Sequence, residues 1–272
     1  MTQIEKAIQF LQLHRGPRPL ILPNVWDVAS ARVIEEAGFP ALATSSAGVA
    51  FSLGYPDAQH ISREEMIARV ARVVRAVKVP VTADLEAGYG NTPDDAAKTA
   101  VELIQAGAVG LNLEDTVDDR LLDISVAVEK VKAVRAVAAD ARVPIVVNAR
   151  TDVYMLPDGS PDEKYSEAVR RLNAYCDAGA NCVFAPGVKD ADTIGRLAKD
   201  IACPLNILVG PGSLTIPELE KLGVARVSLG SGPMRAGLGL LRRLAEELKS
   251  TGSYNALDGA VPHPEMNELL SR

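Results

Sequence analysis

Two short phrases alternate along this chain, and each stands directly before an apolar run. One is a glycine that ends a helical pattern: Ala37-Gly38 before residues 41–44, Ala106-Gly107 before 109–113, Ala178-Gly179 before 182–184, and Leu222-Gly223 before 225–229. The other is a proline that opens a strand: Pro19 before 20–22, Pro80 before 81–83, Pro144 before 145–147, and Pro204 before 205–208. Glycine fits the left-handed residue that caps a helix, and proline is tolerated at the first residue of a strand but not in its middle. Together they mark eight strands. Helical patterns with one apolar stripe lie between them, at residues 63–77, 94–105, 124–139, 162–177 and 232–249. Regular alternation of strand and helix implies a parallel sheet, and eight such units close most naturally into a single-domain α/β fold, a (β/α)₈ barrel of the TIM type. A doubly wound open sheet is the alternative. The barrel is expected over residues 1–250. Residues 251–272 read as an extension: a loop containing Gly252, Asn255, Asp258 and Gly259, then a helix over 264–270 that packs on its own barrel or on a partner subunit.

Composition narrows the function. With a net charge of −6 over 272 residues, the chain lacks the basic surface that nucleic acid or an anionic membrane requires, which leaves small-molecule chemistry. Cys176, Cys182 and Cys203 are odd in number, widely spaced and set in apolar stretches, so they are expected as three reduced core thiols of a cytoplasmic protein, with no disulfide. Residues 1–12 are amphipathic and carry no export-type apolar region, and no run approaches the roughly 20 apolar residues of a membrane helix.

In a barrel of this type the residues just after each strand build the active site. Here they include Asn24 and Asp27; Thr44, Ser45, Ser46 and Gly48; Asp84 and Glu86; Glu114 and Asp115; Asn148, Arg150 and Asp152; Pro186; Asn206; and Gly230 and Ser231. Asp84 and Glu86, two apart where the third strand runs into a glycine-rich turn, can face the same way. Like charges so placed make sense around a hard cation, and Asp84, Glu86 and Glu114 form an all-oxygen set of the kind that holds a largely hydrated Mg²⁺. His14, His60 and His263 lack the spacing of zinc ligands. The Arg150 fork matches a substrate carboxylate, with an internal salt bridge to Asp152 or Glu114 as the competing role. The segment Ser45-Ser46-Ala47-Gly48 offers hydroxyls and successive N–H groups as an anion nest, or is a plain turn.

At these residues the chain resembles the isocitrate lyase/phosphoenolpyruvate mutase superfamily. The likeness is carried by Thr44-Ser-Ser-Ala47, Gly54-Tyr-Pro-Asp57, Asp84-Leu-Glu-Ala-Gly-Tyr-Gly-Asn91, Leu113-Glu-Asp115 and Asn148-Ala-Arg150, in order, from about Leu20 to Ser231. The resemblance implies an enzyme dependent on Mg²⁺, or alternatively Mn²⁺, that breaks or forms a bond beside a small 2-oxo or 2-hydroxy carboxylate through an enolate. It implies Asp84 as the direct metal ligand, with Glu86 and Glu114 acting through water. Asp57, Arg150 and Glu114 become the catalytic set, and Ser45, Ser46, Ala47, Gly48, Asp84, Arg150 and Asn206 the substrate-facing set. It also implies a homodimer or homotetramer that exchanges the C-terminal helix.

Two departures bear on the reaction. The isocitrate and methylisocitrate lyases carry a Lys-Lys/Arg-Cys-Gly-His loop after the fourth strand, whereas residues 115–123 here read Asp-Thr-Val-Asp-Asp-Arg-Leu-Leu-Asp; Pro186 also replaces the acid or histidine expected after the sixth strand. The expectation is therefore a carbon-carbon lyase working by retro-aldol or retro-Claisen cleavage or by decarboxylation. The alternatives are a phosphoenolpyruvate mutase or phosphonopyruvate hydrolase, and a 2-oxo acid binding protein without catalysis.

Overall fold

The computed structural model describes residues 1–271, so the last residue of the expected extension, Arg272, lies outside the described residues. Helix α1 (Gln3–Leu13) leads into β1 (Leu20–Leu22) and β2 (Asn24–Val25), followed by α2 (Val28–Glu36), β3 (Leu42–Thr44), α3 (Ser46–Ser52), α4 (Arg63–Ala76), β4 (Val81–Asp84) and α5 (Pro93–Gln105). Next come β5 (Gly110–Glu114), a small hairpin of β6 (Thr116–Val117) and β7 (Arg120–Leu121), α6 (Ile124–Asp140), β8 (Val146–Arg150) and α7 (Pro161–Asp177). The chain ends with β9 (Cys182–Phe184), α8 (Ala191–Asp200), β10 (Leu205–Leu208), α9 (Ile216–Lys221), β11 (Arg226–Ser228), α10 (Gly232–Ser250) and α11 (His263–Ser271).

The main sheet runs β1-β11-β10-β9-β8-β5-β4-β3-β2, with every recorded pairing parallel. Its two ends are one stretch of chain. β1 pairs with β11 and β2 with β3, and only Pro23 separates them. Proline cannot donate to a ladder, so the strand changes partner at that residue and the sheet closes on itself. Counting β1 and β2 as one strand gives the eight-stranded barrel that the glycine and proline phrases mark. Gly38, Gly107, Gly179 and Gly223 all have φ between 86° and 102°, as helix caps of this kind require.

Helix α1 plugs the end of the barrel opposite the strand C-termini. Phe10 is fully buried, and a Cβ on Gly110 would come within 2.9 Å of the Phe10 ring, of Thr82 Oγ1 and of the Val146 carbonyl. Only glycine lets the plug seat. At the far end of the chain α11 packs against α2 and buries Leu269. None of the described helices is long and apolar enough to cross a membrane.

One expectation is corrected. Cys176 and Cys203 are paired as a disulfide, with Cα atoms 5.9 Å apart, and only Cys182 is a buried free thiol. The two residues are 27 apart in sequence, but they end α7 and precede β10 in neighbouring βα units, so the fold sets them side by side within bridging distance. Sequence spacing carries no sign of such lateral proximity.

Candidate active site

Strand β4 delivers Asp84 to the C-terminal rim, where both carboxylate oxygens are engaged. Oδ2 accepts hydrogen bonds from Ser46 N at 3.2 Å and Ser46 Oγ at 2.9 Å, and Oδ1 accepts from Asn112 Nδ2 at 3.2 Å. Beyond the strand the backbone turns sharply, with Glu86 at φ 51° and Tyr89 at φ 56°. Non-glycine residues persist in this region only where the surroundings hold them. Lys130 supplies part of that hold: its buried ammonium donates to the carbonyls of Ala87 at 2.7 Å and Gly90 at 2.6 Å. Glu86 Oε2 accepts from Gln59 N at 2.5 Å, whereas Oε1 is buried with no partner among the described residues, as is the Tyr89 hydroxyl.

Arg150, at the end of β8, ties two carboxylates. Its Nη1 lies 2.7 Å from Glu114 Oε2 and its Nε 2.6 Å from Asp152 Oδ1, while its guanidinium carbon sits 5.7 Å from the Phe184 ring centre. The internal salt bridge and a cavity-facing arginine thus coexist, since Nη2 makes no bond to the described residues. Asp115 turns away from the rim. Its carboxylate accepts from Thr151 Oγ1, Asp152 N, Arg171 Nη1 and Tyr175 OH, all within 3.1 Å, and so locks the ends of β5 and β8 together. The stretch after Asp115 is the β6–β7 hairpin, whose Asp118 and Asp119 take φ of 50° and 57°, the tight two-residue turn that suits twisted strands.

Ser45 to Gly48 form a helix start and not a free nest. Ser45 caps α3, its Oγ accepting from Gly48 N at 3.2 Å, so Gly48 is spoken for. The Ala47 N–H, in the first turn, has no intrahelical acceptor. Asp57 comes from the loop between α3 and α4, with Ala58 and Gln59 behind it at φ 73° and 59°.

Ser45, Ser46, Ala47, Asp57, Asp84 and Arg150 line one cavity of about 250 Å³. Its remaining wall includes Asn24, Asn112, Ser228, the apolar Met155, Phe184, Pro186 and Leu208, and Arg235 from the first turn of α10. Glu86 and Glu114 lie behind this lining, held by Gln59 and Arg150. The structure therefore brings the three expected metal carboxylates to one rim without forming a closed ligand cluster among the described residues. Asn206 is fully buried beneath the cavity and bonded to Ser228. Asn112, Arg235 and Met155 are additions that the strand-end reading did not single out. Asn112 sits inside β5, two residues before the rim, and Arg235 lies one helical turn into α10. A larger hollow near α1, at the opposite end of the barrel, contains no carboxylate.

Electrostatics distinguish this rim from an ordinary acidic edge. Burial, then the Asp57 and Asp84 charges, push the Glu86 carboxyl up to about 8. Burial raises Glu114 well above the carboxylate range, with Arg150 pulling against it. Partial burial and Asp84 raise Asp57. Three of the acids gathered here, Asp57, Glu86 and Glu114, are pushed toward their neutral forms. That crowding, with an orphaned buried Glu86 oxygen and an all-oxygen donor set, fits a hydrated divalent cation.

A closed (β/α)₈ barrel with crowded carboxylates and two arginines, Arg150 and Arg235, at its C-terminal face defines the class. The comparisons define the family. Residues 10–249 match the phosphoenolpyruvate phosphomutase family model, and the chain belongs to that family, within the isocitrate lyase/phosphoenolpyruvate mutase superfamily. It is 36% identical to an uncharacterized protein of Mycobacterium tuberculosis, over 97% of this chain and 96% of that one. It is 29% identical to a 2-methylisocitrate lyase of Halalkalibacterium halodurans (99% and 91% covered) and 27% identical to oxaloacetate decarboxylase 2 of Pseudomonas fluorescens (97% and 88%). Among solved structures, a lyase/mutase candidate from Burkholderia cenocepacia J2315 superposes with a TM-score of 0.93 at 37% identity, covering 99% of this chain and 97% of that one.

Proposed function

We propose that this protein is a Mg²⁺-dependent carbon-carbon lyase acting on a small 2-oxo or 2-hydroxy carboxylate, by retro-aldol or retro-Claisen cleavage or by decarboxylation. The observation that carries the proposal is the meeting of Asp84 and Arg150 in one small cavity, with Glu86 and Glu114 crowded behind them. Asp84 would hold the ion directly and Glu86 and Glu114 through water. When bound, the ion stabilises negative charge on the carbonyl oxygen as the neighbouring bond breaks.

The chain's own residues supply the rest. Nη2 of Arg150 and the Ala47 N–H grip the substrate carboxylate, and the Glu114 and Asp152 contacts keep the guanidinium from swinging away. As the bond beside the carbonyl breaks, its electron pair moves onto the carbonyl oxygen; the other fragment leaves as CO₂ in decarboxylation, as an aldehyde or ketone whose hydroxyl gives up its proton in retro-aldol cleavage, or as an acid after water adds to its carbonyl in retro-Claisen cleavage. A proton must then reach the carbon. Asp57 stands at the cavity mouth with its carboxyl pushed up by partial burial, which suits it to hold and return that proton. The apolar wall of Met155, Phe184, Pro186 and Leu208 limits the water that could deliver a proton unselectively. A cavity of about 250 Å³ suits a substrate of a few carbons.

The β6–β7 hairpin has no thiol, histidine or lysine to act as the acid of isocitrate cleavage. The test is a panel of oxaloacetate, 2-methylmalate-type acids, isocitrate, methylisocitrate and phosphonopyruvate, incubated with Mg²⁺ or with EDTA, following 2-oxo acid, CO₂ and phosphate. Mg²⁺-dependent carbon-carbon cleavage of one of the first two groups is expected. Phosphate release from phosphonopyruvate alone would support the hydrolase alternative. Tight binding of 2-oxo acids with no turnover would support a binding protein.

A further inference from the structure

Below the cavity, on the axis of the barrel, lies a cation without a carboxylate partner. Arg226 of β11 is fully buried, and no acidic group pairs with it among the described residues. Its Nη2 donates to Asn112 Oδ1 at 3.2 Å, its Nη1 faces His14 Nε2 at 3.5 Å, and its Nε has no partner. Burying a guanidinium without a counter-charge is costly. Packing alone does not account for an arginine here.

The hydrogen-bond directions show what it does. His14 Nδ1 lies 2.8 Å from the Phe10 carbonyl and must be the protonated nitrogen, which leaves the Nε2 lone pair toward Arg226. Asn112 Oδ1 receives two donors, Arg226 Nη2 and, at 2.8 Å, Asn148 Nδ2. A flipped Asn112 amide would set N–H groups against both, so only one orientation survives. In that orientation Asn112 Nδ2 donates to Asp84 Oδ1. The ladder supports the same line, because Asp84, Asn112 and Asn148 are in-register neighbours on β4, β5 and β8.

We propose that Arg226 is a positioning residue for the Asp84 carboxylate, acting through the Asn112 amide that it and Asn148 orient. Ser46 holds one Asp84 oxygen from the side and Asn112 holds the other from below. The carboxylate plane is thereby fixed, and its remaining lone pairs are left to the cavity. Through His14 and Phe10 the same chain reaches α1, so the plug at the far end of the barrel is tied to the rim.

The proposal rests on Asp84 as a metal ligand, and its test separates the two. The probe is Mn²⁺ alone, its affinity read from the electron paramagnetic resonance of the free ion, with the melting temperature of each metal-free variant measured alongside. Wild type should bind Mn²⁺ and Asp84→Ala should not; failure here overturns both readings. Arg226→Met removes the donor and the charge while keeping an apolar side chain of comparable length. Removing a nearby positive charge should by Coulomb's law tighten cation binding, whereas loss of positioning should weaken it. The expected result is a melting temperature no lower than wild type with Mn²⁺ affinity reduced about 10- to 100-fold, on the scale of one lost charge-assisted hydrogen bond. Unchanged or tighter Mn²⁺ binding overturns the proposal while leaving the metal site in place. Should Arg226→Met not fold, Arg226→Leu, which likewise removes the donor to Asn112 and the charge, decides the matter by the same criterion.

Discussion

Replacing Arg150 with lysine separates the two duties that the structure gives this residue. The guanidinium bonds Glu114 at 2.7 Å and Asp152 at 2.6 Å, and side-chain exposures of 19%, 12% and 5% place the trio largely out of water. Lysine keeps one charge but presents no planar fork, so one carboxylate loses a charge-assisted bond, which is about 1.5–3 kcal/mol. At about 2.1 cal/mol/K per residue the unfolding entropy of 272 residues is about 0.6 kcal/mol/K, so the melting temperature should fall by about 3–5 °C. The contact to a ligand carboxylate is lost as well. Oxalate, a small chelating dicarboxylate, should bind the Mg²⁺-loaded variant about 10- to 100-fold more weakly by titration calorimetry. An unchanged melting temperature would refute the assigned internal pairing. A lowered melting temperature with unchanged oxalate affinity would refute the clamp and leave Arg150 as an internal tie only.

Three further outcomes are expected. Because the Glu86 carboxyl is pushed up to about 8, the folded protein keeps a proton there that the unfolded chain releases near 4.5. Its contribution to metal-free stability is therefore full below about pH 4.5 and is lost as pH rises toward 8, by at most about 1.4 kcal/mol per unit; melting curves across pH 5–8.5 should show the fall, and Mg²⁺ should stabilise more at pH 8.5 than at pH 6. Lys130→Met should leave the Ala87 and Gly90 carbonyls short of a donor, costing about 1–3 kcal/mol and speeding hydrogen exchange at residues 87–91; exchange confined to wild-type rates would count against the staple. Iodoacetamide should leave turnover intact, since Cys182 is buried with its thiol pushed up to about 12 by burial, and isocitrate cleavage should be absent or about 10²–10⁴-fold below that of the true substrate; robust isocitrate cleavage abolished by alkylation would mean that a thiol reaches the site after all.

The barrel was legible because its signals are local. Each strand is announced by a proline or by a glycine cap, and each such residue has one physical job that tertiary context did not override. The rim residues were legible for the same reason, being the ones that immediately follow those strands. What the sequence left hidden was lateral. The disulfide joins neighbouring βα units, Asp115 turns inward to four donors contributed by α7 and by the turn that follows β8, and Asn206 sits a layer below the cavity because its register in β10 sets it level with Arg226. Arg226 itself reads in sequence as a charge in the middle of an apolar strand, with nothing to say that it faces Asn112 across the barrel. The Ser45–Gly48 segment was ambiguous between nest and turn, and became the start of α3 because Ser45 can cap its own helix.

The central claim is that a divalent cation held at Asp84 activates a small oxo or hydroxy acid for carbon-carbon cleavage. The most direct measurement takes the substrate selected by the panel and follows 2-oxo acid release by EDTA-treated wild type and Asp84→Ala, before and after Mg²⁺ is added back. Mg²⁺ should restore turnover in wild type and leave Asp84→Ala inactive, with both proteins giving the same far-ultraviolet circular dichroism. Turnover in EDTA, or restoration of Asp84→Ala to near wild-type rate by Mg²⁺, would contradict the claim.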